Sequence, residues 1–194
     1  QDLIGEPIRL SLAAEDTSFH GMGREDIDVR CLGQGRPFVI EIKKPGTRMV
    51  DLEEIQNIVN QNAKEKVEIN SLRWSNRSEV VKVKESRSEK SYTIRFRVED
   101  IPDQETVIES ISTLSGVTLA QETPQRVSHR RAAKTRKRQI IQLSDIVVEG
   151  DEVQFFVRCE AGTYVKELVH SDEGRTVPSV SSVLGDKECT VIWL

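Results

Sequence analysis

Apolar residues recur with two different periods along this chain, and the mixture of these two periods constrains the fold more than any other feature. In residues 92–98 and 153–159 apolar side chains alternate with polar ones, a period of two that predicts half-buried β-strands. In residues 52–63 and 107–114 the spacing is three and four, which predicts amphipathic helices, the first with Asp51 as its N-cap. Strands outnumber helices and do not alternate with them one to one. We therefore predict an α+β fold, with helices packed on a mixed, largely antiparallel β-sheet.

Weaker patterns complete the predicted order of elements. The alternation of Ile8, Leu10 and Leu12 indicates an entering strand. Residues 27–31 and 38–42 alternate on either side of a glycine-containing link, which predicts a β-hairpin. The other expected elements are a strand at 67–72, an exposed connection at 76–90, a strand at 117–119, a helix from its N-cap Thr163 to Val169, a helical turn at 178–184 and a strand at 189–193.

The length of 194 residues favours one domain over the whole chain, with room for a subdomain around residues 48–90. The chain opens with Gln1 rather than methionine, so we expect a fragment that an upstream domain precedes. No apolar run approaches the ~18 residues needed to cross a bilayer, so we expect no membrane partner. Cys31, Cys159 and Cys189 are odd in number and widely spaced, which predicts reduced thiols and no metal site. We expect a monomer in the cytoplasm, or in the nucleus of a eukaryote.

The net charge of −4 does not favour nucleic acid as a partner, but the charge is unevenly distributed. Residues 126–138 carry seven cations and no acid, and we expect this basic segment to be a loop. Such a segment can neutralise several RNA phosphates. Its cations are Arg126, Arg130, Arg131, Lys134, Arg136, Lys137 and Arg138.

Residues 21–30 concentrate charge where a loop meets the predicted strand, in the string Gly-Met-Gly-Arg-Glu-Asp-Ile-Asp-Val-Arg. Gly23 allows the backbone to approach a ligand closely, and Asp26 and Asp28 are candidate catalytic carboxylates. In a strand both would point to the same face. A solvated charged turn is the alternative.

Two further strings combine polar groups with defined local structure. Tyr92, in Lys-Ser-Tyr, begins an alternating strand. A tyrosine in such a position is a core residue, whose hydroxyl finds one partner, as often as it is a functional residue. Residues 160–166, Glu-Ala-Gly-Thr-Tyr-Val-Lys, predict a glycine turn that opens a helix and presents Lys166. The alternative is that Lys166 is merely exposed.

Taken in order, these strings resemble the catalytic segments of the archaeal and eukaryotic tRNA pseudouridine synthases that act on the T-loop, the Pus10 family. The resemblance implies isomerisation of uridine to pseudouridine in the tRNA T-loop, with no cofactor and no metal, on a pseudouridine synthase-like fold. It implies that Asp26 is catalytic, that Tyr92 stacks on the extruded base, and that Lys166 pairs with Asp26. The hydrophobic residue that lies beneath the base in this family corresponds to Val183 or Leu184. The family also carries an N-terminal RNA-binding domain, which we expect to be absent from these residues.

The resemblance also implies that tRNA is the partner and that cations surround the catalytic segment. The RNA-binding candidates are Arg24, Tyr164, Arg126, Arg130, Arg131, Arg136, Lys137 and Arg175.

Two other classes of function fit part of the sequence. Asp28, Glu41 and Lys43 reproduce the spacing of a metal-dependent nuclease core, in which two carboxylates hold a divalent ion and a lysine assists the attacking water. A non-catalytic RNA-binding module is the third hypothesis. Metal dependence distinguishes the nuclease from a synthase, and the effect of removing Asp26 distinguishes the binding module.

Overall fold

The computed structural model describes residues 1–23, 25–26 and 28–194. The chain divides into two compact units. The first consists of Gln1–Arg24 and Cys31–Ser86, and the second of Glu25–Arg30 and Arg87–Leu194. The short stretch from Glu25 therefore groups with the second unit, although the residues on both sides of it group with the first.

The first unit builds a small core between a two-stranded sheet and helices. Its elements are α1 (Asp2–Ser11), β1 (Asp16–Gly21), β2 (Phe38–Lys43), α2 (Leu52–Asn62) and α3 (Arg77–Glu85). Strand β1 pairs antiparallel with β2, and the rings of Phe19 and Phe38 stack with centroids 5.1 Å apart. Helix α2 begins as predicted, because the Asp51 side chain accepts hydrogen bonds from the backbone N–H groups of Glu53 and Glu54.

The second unit contains a six-stranded sheet in the order β7-β4-β5-β6-β3-β8. All strand pairings among the described residues are antiparallel. Helices α4 and α5 contact the sheet, and α6 contacts both of these helices. The elements in order are β3 (Lys90–Val98), α4 (Gln104–Ser112), β4 (Thr118–Gln121), a 3₁₀ helix (Gln125–Arg130), β5 (Arg136–Glu149), β6 (Glu152–Cys159), α5 (Val165–His170), β7 (Thr176–Val177), α6 (Val180–Val183) and β8 (Cys189–Trp193).

The predicted alternation forms the core of this sheet. In β3, Ile94, Phe96 and Val98 are buried in the same cluster as Val153 and Phe155 of β6. The polar positions of β3 face the opposite way, where the Nε of Arg95 donates to Glu152 at 2.6 Å. Burying one face and hydrating the other is the arrangement that a period of two favours.

Several predicted elements are wrong in type or in partner. The predicted entering strand is instead helix α1, and its residues Ile4 and Ile8 and its C-cap Leu12, four residues apart, turn to the core of the first unit. The strand predicted at 67–72 is irregular, and the connection predicted at 76–90 contains α3. Strand β2 pairs with β1, not with residues 27–31, of which Ile27 lies outside the described residues.

In the second unit, two local predictions are wrong. Thr163 does not cap α5, because its hydroxyl donates to the carbonyl of Glu160 and the helix begins after Tyr164. The basic segment is not one loop, since it starts in the 3₁₀ helix and its last residues, from Arg136, form the beginning of β5. The predicted helical turn at 178–184 and the predicted last strand are confirmed by α6 and β8. Among the described residues, no helix has the length and apolar character that a membrane crossing requires.

Candidate active site

Three acids of the short stretch from Glu25 are each bound by a different part of the second unit. Glu25 contacts β3, Asp26 contacts the 3₁₀ helix, and Asp28 contacts α5. Gly23, just before this acidic stretch, has a φ of 84°, a conformation that favours glycine. Separate cations therefore fix three neighbouring carboxylates in place.

Glu25 is bound by the residues that open β3. The Tyr92 hydroxyl donates to both carboxylate oxygens of Glu25 at 3.3 Å, and Lys90 Nζ lies 3.5 Å from Oε1. The side chains of Lys90 and Glu25 are only 11% and 16% exposed. Because this ion pair is largely withdrawn from water, it holds the Tyr92 phenol in a defined direction.

Asp26 is bound by Arg126, which is itself fixed from behind. Arg126 Nη1 lies 2.7 Å from Asp26 Oδ2. Its Nε and Nη2 donate to the two carboxylate oxygens of Glu167 at 2.6 and 3.2 Å, and the Glu167 side chain is 1% exposed. Burial disfavours the guanidinium charge, but the hydrogen bonds to Glu167 and Asp26 outweigh it, so that the pKa of Arg126 is raised above its ordinary value.

Asp28 is bound by Lys166, whose Nζ donates to Oδ2 at 2.5 Å. This hydrogen bond is the main reason that the pKa of Asp28 lies below its ordinary value. The Asp28 carboxylate is 63% exposed and remains accessible to solvent. The predicted pairing of Lys166 with Asp26 is therefore wrong. Residues 28–30 do not form a strand, so the two aspartates do not share a face as the alternation suggested.

The start of α5, which carries Lys166 and Glu167, is held by a buried glutamine. The Gln121 side chain, 0% exposed, accepts from the Tyr164 N–H at 2.9 Å and donates to the Tyr164 carbonyl at 3.0 Å. Gly162, two residues earlier, has a φ of 82°. The glycine turn and the glutamine together set where the helix begins.

A cavity of about 440 Å³ opens beside this site, within the size range of small-ligand pockets. Its lining consists of Asp28, Lys166 and His170 together with strand β8 and Leu194. The Asp172 N–H donates to Nδ1 of His170 at 3.1 Å, so that this ring nitrogen is occupied. The lining of the cavity therefore includes a carboxylate, an ammonium and an imidazole.

The predicted RNA-binding cations fall into two groups. The residues Arg130, Arg131 and Lys137, which we call the exposed basic cluster, are solvent-exposed, and their side chains form no hydrogen bond or ion pair with the described part of the chain. Arg136 instead donates to the Thr123 hydroxyl and the Lys134 carbonyl and lies over the Tyr164 ring at 6.0 Å. A guanidinium with these intramolecular partners contributes to the local structure.

Arg175 and Arg24 are two other predicted RNA contacts. Arg175 donates to Glu122 at 3.2 Å and is 39% exposed. Arg24 lies outside the described residues. Both stay predictions.

The residues of the nuclease hypothesis have other partners. Asp28 belongs to the second unit, whereas Glu41 and Lys43 belong to the first. Glu41 contacts His20, and Lys43 donates to Asp16 at 2.7 Å. Among residues 1–23, 25–26 and 28–194, no group of three or more histidine, cysteine or acidic side chains is arranged to hold a metal ion.

Sequence reasoning missed four contributors to this site: Glu25, Lys90, Gln121 and Glu167. Lys90 precedes Tyr92 by two residues, so the period of a strand could have placed both on one face. Glu167 is an acid within the buried helix α5, and an acid in such a helix requires a cationic partner. No local pattern marks Gln121, because its function depends on a residue far away in the sequence.

Comparison with known proteins places this chain in a family. The model of the family described as "Pus10, C-terminal" matches residues 1–194. The "tRNA pseudouridine synthase Pus10" of Thermofilum pendens is 39% identical over 193 residues, which are 98% of this chain and 44% of the relative. The protein of the same name from Methanothrix thermoacetophila is 42% identical over 94% of this chain and 40% of its own length. This chain thus spans less than half the length of these two relatives.

A solved structure supports the fold alone. The "archaeal box H/ACA sRNP Nop10-Cbf5 complex" superposes with a TM-score of 0.50 at 15% identity, over 99% of this chain and 41% of the matched one. Together with the antiparallel sheet and its helices, this similarity confirms the predicted α+β fold of the pseudouridine synthase type.

Proposed function

Because the chain belongs to the Pus10 C-terminal family, we propose that it is the catalytic part of an enzyme that isomerises uridine to pseudouridine in tRNA. The finer proposal is that the target lies in the T-loop, at one uridine or at two adjacent ones, and that the reaction needs no cofactor. The observation that carries the proposal is the binding of Asp26, between Glu25 and Asp28, to a cation that a buried acid holds in place.

The reaction exchanges one bond of the base for another. The bond from N1 of uracil to C1′ of the ribose breaks, and a bond from C5 to C1′ forms. The hydrogen on C5 leaves as a proton, and N1 takes up a proton, so product and substrate are isomers and no oxidant or reductant is required. The base must leave the RNA stack to turn, which implies an extruded nucleotide held in a pocket.

Breaking a glycosidic bond develops positive charge on the ribose, and a nearby carboxylate stabilises that charge. Asp26 is the carboxylate that we assign to this role, acting in its ionised form on the ribose of the extruded nucleotide. Its side chain is 30% exposed, so it is partly withdrawn from water but can still reach a substrate. The positive charge next to Asp26, which was expected from Lys166, comes from Arg126.

Tyr92 is the second proposed catalytic residue. Its ring can stack on the detached uracil, and its hydroxyl already donates to Glu25 at 3.3 Å. A phenol bound to a carboxylate can pass on the proton that C5 must lose. Glu25 therefore enters the proposal as the residue that orients Tyr92.

Lys166 retains a role on the substrate side of the site. It bonds to Asp28 and lines the cavity beside the acidic stretch, where its charge can face the RNA backbone. The exposed basic cluster supplies further phosphate contacts, and Arg24, Tyr164 and Arg175 are proposed as additional contacts. We propose tRNA as the partner of a monomeric chain.

The direct test is product analysis. A folded tRNA transcript is incubated with the 194-residue chain, treated with carbodiimide, which marks pseudouridine, and analysed by mass spectrometry. We expect pseudouridine in the T-loop, and the same yield when EDTA is added to tRNA folded in monovalent salt. Absence of pseudouridine would refute the proposed activity, and loss of product in EDTA would refute its metal independence.

A further inference from the structure

We propose that Arg126 is a positioning residue for the carboxylate of Asp26, and that buried Glu167 holds Arg126 in the orientation this requires. The inference rests on the proposed function, because it concerns the residue that supports the reactive carboxylate. It replaces the prediction that Arg126 binds RNA.

The geometry of the guanidinium leads to this assignment. Nε and Nη2 form one edge of the planar group, and both donate to Glu167, in the bidentate arrangement that fixes an arginine most firmly. Nη1 is left to bond Asp26 Oδ2 at 2.7 Å. With the plane of the guanidinium set by Glu167, the position of Nη1, and with it that of the Asp26 carboxylate, is set as well.

The burial of Glu167 explains why this arrangement should persist. Its side chain is 1% exposed, and a buried carboxylate without a cation is strongly unfavourable. Arg126 therefore cannot leave Glu167 to bind a phosphate at little cost. Asp26 comes from the acidic stretch, Arg126 from the 3₁₀ helix and Glu167 from α5, so that the contact joins three separate parts of the chain.

The charge of the group also argues against an RNA contact. One guanidinium shared by two carboxylates carries a local net charge of −1, which gives a phosphate no attraction. Asp26 Oδ2 is occupied by Arg126, and Oδ1 has no protein partner among the described residues, so this oxygen can face the ribose.

Two variants of the Arg126 site and one control separate positioning from stability and from RNA binding. Arg126→Lys keeps the charge but loses the planar guanidinium, since lysine cannot bond two carboxylates in a fixed plane. Arg126→Gln alone leaves Glu167 buried without a cation and can fail to fold. The double variant Arg126→Gln with Glu167→Gln removes both charges and keeps two side chains that can hydrogen-bond. Arg158→Gln, an exposed arginine of β6, is the matched control.

The readouts are the single-turnover rate of tritium release from RNA labelled at C5 of uridine, the Kd for RNA with its salt dependence, and the melting temperature. For the double variant we expect a rate about 100-fold lower at saturating RNA, because a misplaced reactive group costs about that much. Its Kd, salt slope and melting temperature should stay close to those of the wild-type chain. Arg126→Lys should give an intermediate rate, and Arg158→Gln a wild-type rate.

Two results would overturn the inference while leaving the proposed function intact. One is a wild-type rate in the double variant. The other is weaker RNA binding with a smaller salt slope and an unchanged rate at saturation, which would make Arg126 a phosphate contact. Wild-type chain that releases no tritium, or Asp26→Asn that still releases it, would instead refute the proposed function, and the inference would fall with it.

Discussion

Replacing Gln121 with methionine should destabilise the second unit and displace the start of α5. The two side chains have similar length, so the change removes hydrogen-bonding groups without opening a large cavity. It leaves the N–H of Tyr164 without the partner it has at 2.9 Å, whereas the Tyr164 carbonyl loses the bond at 3.0 Å and keeps the helical hydrogen bond from the Leu168 N–H. An unsatisfied buried backbone donor costs about 1–3 kcal/mol and the second lost hydrogen bond about 0.5–1.5 kcal/mol, so the total loss should be about 2–4 kcal/mol.

The assay must report the second unit alone. The chain has two tryptophans, Trp74 in the first unit and Trp193 in the second, so a Trp74→Phe background makes Trp193 the only fluorescent indole. A loss of about 2–4 kcal/mol corresponds to a melting temperature lower by roughly 5–15 °C.

The matched control is Gln139→Met, an exposed glutamine of β5 that lies in the same sheet. We expect a change within about 0.5 kcal/mol for this surface position. If Gln121→Met is no less stable than Gln139→Met, the two hydrogen bonds do not hold the start of α5, and the reasoning that connects β4 to the site is wrong.

The charges and thiols of the chain give three further predictions. Changing the exposed basic cluster to glutamine should reduce the slope of log affinity for RNA against log salt by about 0.7–0.9 for each phosphate that is no longer neutralised, whereas an unchanged slope would place the RNA elsewhere. In Lys166→Met the pKa of Asp28 should rise toward its ordinary value, because the hydrogen bond that lowers it is gone. A ¹³C NMR titration of the Asp28 carboxyl measures this change. The stability that this lowered pKa contributes is present above the unfolded pKa and is lost as the pH falls through the folded pKa, so the wild-type advantage should begin to decline below about pH 4 and be gone below the folded pKa. At about pH 8, near the ordinary pKa of a thiol, a thiol reagent should label only exposed Cys31 in the folded chain. The reason is that burial raises the pKa of Cys159 to about 11 and of Cys189 to about 12. Fast labelling of two or three thiols would contradict the buried positions of these two cysteines.

Local sequence patterns predicted the elements whose structure depends on local contacts. Strands β3 and β6 are long alternations with one face in the core, and α2 has both a helical period and a capping aspartate. Helix α1 was not predicted, because Ile8, Leu10 and Leu12 also fit a strand and Pro7 lies within the helix. The spacing of four between Ile4, Ile8 and Leu12 was the signal that could have indicated it.

The arrangement of the site depended on contacts that no local pattern encodes. The motifs identified Asp26, Tyr92 and Lys166, and the structure places all three around the acidic stretch. Which cation binds which aspartate depends on these tertiary contacts, and the pairing of Lys166 with Asp26 was expected from the family resemblance alone. The partner of Asp26 is 100 positions away in the sequence, and the acid that holds that partner is buried in another helix.

The measurement that tests the central claim most directly compares Asp26→Asn with Asp28→Asn. Both variants remove one charge from the same short stretch, and tritium release from RNA labelled at C5 of uridine reports the reaction itself. We predict that Asp26→Asn forms no pseudouridine while it still binds RNA, and that Asp28→Asn, in which Lys166 loses its partner but Arg126 keeps Asp26 in place, still forms product. Turnover by Asp26→Asn, or a loss of product confined to Asp28→Asn, would contradict the account and assign the reactive carboxylate to Asp28.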